Sequence, residues 1–425
     1  MSARPSVVVV GAGFGGLRVA RALRGAPIEV TVIDQHNYHT FIPLLYQVAT
    51  AGLEPEEIAQ PIRRILRGAP NVKFRLGRAT RIDTEHRLVI TEAGDLRYDY
   101  LVLAAGSVTN FFGMESLART ASGLRDLDDA EVVRDRVLAA FESASIERDP
   151  KRQQELMTVV VVGGGPTGVE MAGALAELRR HVLPHDYPEL DVSLGRILLL
   201  EARKTLLPGM DKSMQKNALA RLREMGVDVR LQTTVADADE HSVSLTSGER
   251  ISAGVLVWVA GLRASPLAEA LPGAKAGGGG RLLVDETLRV PGHPEIYSIG
   301  DMAHVGPPEI RSLPMLAPVA IQQGDLVAEN ILRLTRGRRP KRFRYKDRGS
   351  MVTIGRSAAV ARIYGLRFSG FVAWLIWLTV HLVWLVGFRN RMLVLVNWAW
   401  NYLTYDRGVR LIRRAASLST SNDER

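Results

Sequence analysis

Two glycine-rich fingerprints lie in this one chain, and few folds can use both. The first, Gly11-Ala12-Gly13-Phe14-Gly15-Gly16, follows the apolar run Val7 to Val10. The second, Gly163-Gly164-Gly165-Pro166-Thr167-Gly168, follows Val159 to Val162. Each comes after a buried-strand pattern and opens a helical one, which is the setting that makes such a run a dinucleotide site. The first glycine makes a tight turn, the second lets the backbone reach a pyrophosphate, and the third lets helix pack on strand. Helix N-terminal N–H groups then face the phosphates. An acid follows each fingerprint: Asp34 is 18 residues past Gly16, and Glu201 is 33 past Gly168. A carboxylate at that place suits ribose hydroxyls. The longer second spacing predicts an extended helix through about Leu183, then a loop with Pro184, Asp186 and Pro188. Two such sites imply two dinucleotides, and two dinucleotides imply electron transfer between them.

Length and order set the domain plan. The 425 residues are too many for one ordinary domain. Leu96 to Ala105 reads as a strand ending at Ala104-Ala105-Gly106, where small residues permit close approach to a cofactor. Gly254 to Val259 reads likewise, ending at Ala260-Gly261. Residues 125–155 are charged and helical, and Ala276 to Gly280 is a glycine-rich crossover or mobile loop. Glu295 to Ile299 forms a strand that ends in Gly300-Asp301. The expected fold is α/β, with two Rossmann-like domains, the second inserted in the first, and a C-terminal helical region. The expected boundaries are 1–155 and 281–330 for the first domain, 156–280 for the second, and 331–425 for a basic segment with amphipathic helices.

Cysteine is absent. That excludes disulfides, thiolate metal sites and any redox-active thiol. His39, His181 and His381 have no metal-ligand spacing, so no metal is expected. Met1 to Val10 lead straight into the first strand, which predicts no signal peptide. The net charge of +10 is concentrated: residues 331–370 hold twelve Lys or Arg and one acid, leaving −1 for the rest. Five of the six tryptophans lie between Trp374 and Trp400, and Phe371 to Phe388 contains no charged residue. Apolar, Trp-rich and flanked by arginine reads as a membrane interface with an anionic lipid surface, and no nucleic-acid fingerprint is visible.

The paired folds, Ala104-Ala105-Gly106 and Gly300-Asp301 resemble the two-dinucleotide-binding flavoproteins. In that superfamily the first fold holds FAD and the second NAD(P)H. The resemblance implies that Asp301 approaches the flavin ribityl or pyrophosphate; read alone, it is a turn residue after a strand. Narrower motifs resemble type II NADH dehydrogenases, the single-subunit NADH:quinone oxidoreductases that pump no protons. They are Asn37 to Thr50, Gly163 to Glu170, and Ala317-Pro318-Val319-Ala320-Ile321-Gln322-Gln323. The resemblance covers essentially the whole chain. It implies cofactor contacts from Gly11, Gly13, Phe14, Gly15, Gly16, Asp34, Ala105, Gly106, Gly300, Asp301 and Ala320. On the second fold it implies Gly163, Gly165, Pro166, Thr167, Gly168, Glu201 and Gly261.

The reaction so implied is hydride transfer from NADH to FAD, then two electrons to a membrane quinone. FAD is expected to be non-covalent, since the chain has no Cys and no His in an obvious attachment motif. Gln322 and Gln323 are the expected quinone-side residues. Pro318 replaces the family's first glutamine and has neither side-chain donor nor N–H, which leaves the quinone's identity open. Glu170 is the candidate for relaying or tuning protons. On its own it is equally a carboxylate favoured by the helix macrodipole. Glu201 favours NADH, with Arg203 and Lys204 close enough to blunt discrimination against NADPH.

The C-terminus allows two arrangements. Phe371 to Phe388, as one helix, would just cross a hydrocarbon core. Asn390, Asn397, Asn401 and Thr404 form one stripe, and Arg407, Arg410, Arg413 and Arg414 follow, which reads as a basic interfacial helix. The expected location is peripheral, on the cytoplasmic face of the cell membrane. Packing on a core or in a homodimer competes with this. A soluble ferredoxin or rubredoxin reductase, and a non-enzymatic NADH-sensing flavoprotein, are the alternative functions. From Ser417 onward the polar tail is expected to be disordered.

Overall fold

The computed structural model describes residues 4–310, 312–404 and 408–413. Arg407, Arg414 and the tail from Ser417 lie outside the described residues. The described residues form two compact units. The first draws on Met1–Thr40, Ala59–Val108 and Leu262–Asp347; the second on Phe41–Ile58, Thr109–Gly261 and Arg348–Arg425. The second dinucleotide fold is thus inserted in the first. The units do not follow the expected segments one for one. Residues 41–58 and 348–425 belong with the second fold, and the chain returns to the first at Leu262.

The first unit is built on a six-stranded sheet. Its order is Arg289–Val290, His293–Ser298, Tyr100–Leu103, Ser6–Val10, Glu29–Asp34, Val72–Leu76, parallel except at the first pair. The second carries four parallel strands in the order Val227–Leu231, Ile197–Glu201, Val159–Val162, Val255–Trp258. The unbroken valine runs explain the central strands. A parallel strand buried on both faces needs β-branched residues throughout, and all four residues of Val159–Val162 are buried. Neighbouring strands supply each fingerprint's first hydrogen bond: Gly11 N–H donates to Ile33 O and Gly163 N–H to Leu200 O, both at 2.8 Å.

The helix after the second fingerprint, Pro166–Glu177, runs on through a π-type turn, Leu178–Val182, into Leu183–Asp186. Pro184 and Asp186 therefore sit in helix rather than in the expected loop, Pro184 being tolerated in the first turn of the restarted segment. The expected strand Leu96 to Ala105 is two strands, Leu96–Arg97 and Tyr100–Leu103. Residues 331–334 complete the helix Ala317–Leu334, while Gly349–Thr353, Ala359–Ile363 and Leu366–Ser369 form an antiparallel sheet.

The Trp-rich helix Gly370–Trp384 stops short of the expected end at Phe388, because Leu385 adopts an extended conformation and Gly387 a φ of 92°. Its 15 residues span about 22 Å, against the roughly 30 Å of a hydrocarbon core. Among the described residues, no helix is long and apolar enough to cross a membrane.

The asparagine helix Phe388–Thr404 shows which side faces protein. Its three asparagines face protein, while Thr404 is exposed and donates to Trp400 O in its own helix. Asn390 Nδ2 donates to the Glu56 and Glu57 carbonyls at 2.9 Å, Asn397 Nδ2 to the Glu57 carboxylate, and Asn401 Nδ2 to Gly52 O at 3.0 Å. The 52–57 turn has carbonyls that need donors, and the stripe supplies them. The apolar residues are left outside: Phe388, Val396 and Leu403 are 77%, 58% and 78% exposed. Arg410 and Arg413 are not free for lipid headgroups either; they pair with Asp186 at 2.8 Å and Glu131 at 3.2 Å.

Candidate functional site

The two fingerprints use the same geometry. A Cβ on Gly16 would lie 1.9 Å from Gly11 O, and one on Gly168 would lie 1.8 Å from Gly163 O. Only glycine lets those helices sit so close. Gly11 and Gly163 have φ of +102° and +116°, and a Cβ there would strike Ala104 and Ala260 respectively. Gly13 and Gly165 face open space, with nothing within 4 Å of an added Cβ. That open ground beside a helix N-terminus is where a pyrophosphate fits.

The acids also match. Asp34 accepts from Ala12 N–H at 2.6 Å and His36 N–H at 2.8 Å. Glu201, buried, accepts from Gly164 N–H at 2.6 Å and Arg203 N–H at 2.7 Å. Each carboxylate is therefore braced by the residue after the first glycine and by the residue two beyond itself. Burial raises the Asp34 pKa against the pull of its two N–H donors. His39, expected to be ordinary packing, is buried with Nδ1 3.0 Å from Ala12 O and its ring edge-on to Phe14. Burial lowers its pKa to about 4, so it is neutral.

The first unit gathers its other expected residues around Gly300-Asp301. Asp301 accepts from Ser107 Oγ at 2.7 Å. Ala105 N–H meets Met302 Sδ at 3.2 Å, and Gly106, at φ +71°, accepts from Ser265 N–H. Ala320 lies between Gly15 and Gly300, close to both. Pro318 occupies the first turn of its helix, where its missing N–H costs nothing.

The glutamines are engaged with backbone. Gln323, fully buried, accepts from Gly300 N–H at 2.6 Å, and its Nε2 has no partner among the described residues. Gln322 both donates to and accepts from the Lys346 backbone at 3.0 Å. Gln323 thus holds the Gly300-Asp301 turn, and Gln322 pins the basic segment. Sequence reading missed Arg281, which is buried with Nη1 2.7 Å from Leu313 O and Nη2 3.4 Å from Gly300 O. A lone arginine before a strand gives no pattern to find it by.

In the second unit, Gly261 packs under the Phe112 ring and accepts from Asn110 N–H at 3.1 Å. Pro166 and Thr167 lie at the start of their helix, Thr167 exposed. Glu170, one turn on, is half-buried. Burial pushes its carboxyl up to about 8, against weaker pulls from the N–H groups of Thr353 and Trp377. Thr353 N–H stands 3.4 Å from Oε1. Thr353 in turn lines a largely apolar cavity of about 590 Å³, walled also by Tyr46, Gln47, Trp377, Leu378 and Trp398 and reached by Ala174 and Glu177 of the Glu170 helix. Gln47 closes part of this wall, accepting from Trp398 Nε1 and donating to Tyr46 Oη, both at 2.8 Å. A neutral carboxyl next to an apolar cavity can hold a proton at physiological pH and release it to an oxygen that gains charge. Among the described residues no cluster could hold a metal.

Residues 5–324 match the family model described as pyridine nucleotide-disulphide oxidoreductase, and residues 348–405 match the NDH2 C-terminal domain. The chain is 39% identical to the type II NADH:quinone oxidoreductase Ndh of Mycobacterium tuberculosis, over 95% of this chain and 89% of that one. The chain belongs to the type II NADH:quinone oxidoreductases. A second relative from the same organism, NdhA, is 38% identical over 95% of this chain and 88% of its own length. In fold, the chain is similar to NDH2 from Plasmodium falciparum, solved in complex with NADH. That TM-score is 0.88 at 22% identity, covering 97% of this chain and all of that one. The sulfide:quinone oxidoreductase of Aquifex aeolicus shares the fold more loosely, with a TM-score of 0.72 at 17% identity over 96% of each chain. With no cysteine among its 425 residues, this member has the oxidoreductase fold without disulphide chemistry.

Proposed function

We propose that this chain oxidises NADH and reduces a membrane quinone, with non-covalent FAD in the first unit, NADH in the second, and no proton pumping. The carrying observation is the duplicated fingerprint with identically braced acids, together with an apolar cavity that has a neutral carboxyl beside it. The first unit suits FAD: open space at Gly13, the Asp34 carboxylate, and a buried Gln323 Nε2 donor awaiting an acceptor. When bound, FAD would supply the two-electron chemistry between nicotinamide and quinone. The chain's own residues position and balance charge. Asp34 and Glu201 brace the fingerprint loops and present carboxylate to ribose hydroxyls, with Glu201 favouring NADH. Gln323 orients the Gly300-Asp301 turn. Glu170 holds a proton for the reduced quinone, and the largely apolar cavity walls suit the quinone's ring and tail.

The membrane reading rests on the outward apolar face of the two last described helices, including Val372, Val383, Val396 and Leu403. Apolar burial at about 25 cal/mol per Å² drives such binding. The basic segment 331–367 adds roughly 1 kcal/mol for each cation near an anionic surface. The protein then lies peripherally, on the cytoplasmic face.

Two experiments test this. Purified protein mixed anaerobically with NADH should bleach a flavin that acid releases as FAD, and quinone should restore the colour. Release of FMN, or bleaching without recovery, contradicts the proposal. Val396→Glu with Leu403→Glu should free the protein from membranes and spare reduction of a short-chain quinone. Retention of the double variant on membranes would instead assign that face to a second protein copy.

A further inference from the structure

Phe112 stands in a place that its own turn does not favour. The turn Phe111 to Met114 closes with Met114 N–H on Phe111 O at 3.0 Å, and its two central residues, Phe112 and Gly113, have φ of +53° and +79°. Turns with two left-handed central residues favour Asn or Gly at the first of them, not a bulky side chain. The surroundings hold Phe112 there. Asn110 Oδ1 accepts from Phe112 N–H at 2.9 Å, Asn110 O accepts from Trp258 Nε1 at 2.9 Å, and Asn110 N–H donates to Gly261 O at 3.1 Å. The ring is seated on one side: a Cβ on Gly261 would lie 2.6 Å from Phe112 Cζ, and the Trp258 ring stands edge-on at 6.4 Å and 66°. Yet Phe112 is 59% exposed. Backbone strain kept for an aromatic ring that stays in water needs a reason outside packing.

The order of the second sheet supplies that reason. Its strands run Val227–Leu231, Ile197–Glu201, Val159–Val162, Val255–Trp258, all parallel. Dinucleotides lie across the carboxyl ends of such strands. Glu201, for the adenine-side ribose, ends the strand on one flank of the fingerprint strand. Gly165, for the diphosphate, follows the fingerprint strand itself. The nicotinamide half is then directed to the opposite flank, where Val255–Trp258 ends. Ala260 stands there beside the first fingerprint glycine: a Cβ on Gly163 would be 2.7 Å from Ala260 Cα. Gly261 and Phe112 come next.

We propose that Phe112 is the surface on which the nicotinamide riboside of NADH packs, so that it sets affinity at the hydride-donating end of the nucleotide. This rests on the assignment of NADH to the second unit. The open part of the ring offers a flat apolar contact to the nicotinamide. Gly261 gives the ring its seat, because a side chain there would push it off. The ring carries neither charge nor hydrogen-bonding group, so its grip is independent of the ribose hydroxyls and of the diphosphate. Adenine-side recognition by Glu201 and nicotinamide-side recognition by Phe112 are thus separate contributions.

The test compares the Kd values of NAD+ and of ADP-ribose, which lacks the nicotinamide, by calorimetry on the full-length, oxidised, flavin-loaded enzyme. Phe112→Asn removes the ring and suits the left-handed turn, so it should melt no lower than wild type. It should weaken NAD+ binding about fivefold and leave ADP-ribose within about twofold. Phe112→Tyr should bind both as wild type does. Unchanged NAD+ affinity in Phe112→Asn, equal loss of both ligands, or a loss that persists in Phe112→Tyr overturns the proposal. If Phe112→Asn does not fold, Phe112→Leu, bulky without the aromatic ring, is read in the same way. Gly168→Ala tests the underlying assignment, since it should weaken both ligands. Both unchanged in Gly168→Ala takes the nucleotide out of the second unit. Both weakened there, with NAD+ unaltered in Phe112→Asn, removes only the role of Phe112.

Discussion

Two residues past its third glycine, each fingerprint helix carries a charged residue type, and the two have opposite fates. Arg18 in the first unit is half exposed and paired with Asp325. Glu170, at the same step in the second, is half-buried and, among the described residues, unpaired by any charge, with its pKa raised to about 8 by desolvation. The glycine geometry before them is the same in kind: the same close approach to a carbonyl, the same open second position, the same doubly braced acid. One scaffold thus serves two ends. In both units the loop is built to hold a dinucleotide, but only in the second does the helix bring a neutral carboxyl to an apolar cavity. The difference comes from what packs on the helix. The first helix lies on Ala317–Leu334, whose exposed flank offers Asp325; the second lies under Gly349–Thr353 and beside Trp377, which offer N–H groups and no charge.

The largest effect should come from breaking each loop in turn. Gly16→Ala and Gly168→Ala force a Cβ to within 2 Å of a carbonyl. The strain of roughly 1–3 kcal/mol corresponds to about 5- to 150-fold in nucleotide affinity. Gly16→Ala should emerge depleted of flavin. Gly168→Ala should be yellow but bleach slowly with NADH, as followed by visible absorbance. Flavin loss in both variants would erase the assigned division of labour.

Next comes stability against pH. A carboxyl whose pKa is higher folded than unfolded holds its proton better in the native state, so stability falls as pH rises between the two values. For Glu170 that window runs from 4.5 to about 8, with a slope of at most about 1.4 kcal/mol per pH step. His39 and His381, lowered from 6.5 to about 4, act oppositely, and stability falls as pH drops through that range. Thermal melts of Glu170→Gln should lose the alkaline decline and keep the acid one. Matching melts for wild type and variant would mean that Glu170 is ionised when folded.

Gln323→Ala should cost about 1–3 kcal/mol by leaving the buried Gly300 N–H unmet, measured by urea unfolding, together with weaker flavin retention. Gln322→Ala should cost less, since the Lys346 backbone can turn to water. Equal costs would show that neither amide is specially placed. The smallest change is at Glu201. Glu201→Gln should raise NADPH use relative to NADH by about threefold, through reduced repulsion of the 2′-phosphate. An unchanged ratio of kcat/KM values would show that bracing the loop is its whole role.

What could be read from the chain follows from how local each signal is. The fingerprints, their acids and Gly300-Asp301 depend on short-range backbone demands, so the residues declare themselves. The C-terminal helices do not. Asn390, Asn397 and Asn401 form a clear stripe, but periodicity does not say which side faces water; the 52–57 carbonyls, more than 330 residues earlier, decide that. The glutamine pair could be located but not oriented, because the partners of Gln322 and Gln323 are backbone groups that carry no residue signature. Glu170 was visible as a carboxyl near a helix start, though it lies past the first turn; its neutrality comes from burial, against the pulls of Thr353 and Trp377, and no spacing rule forecasts that packing.

The proposed proton delivery turns on that neutrality, and infrared titration measures it directly. The carbonyl stretch of a protonated carboxylic acid should persist in wild-type enzyme at pH 7, disappear with a midpoint near the Glu170 value of about 8, and be missing in Glu170→Gln. A spectrum at pH 7 with no acid band that Glu170→Gln removes would contradict the neutral carboxyl, because the second helix would then carry an ordinary ionised carboxylate.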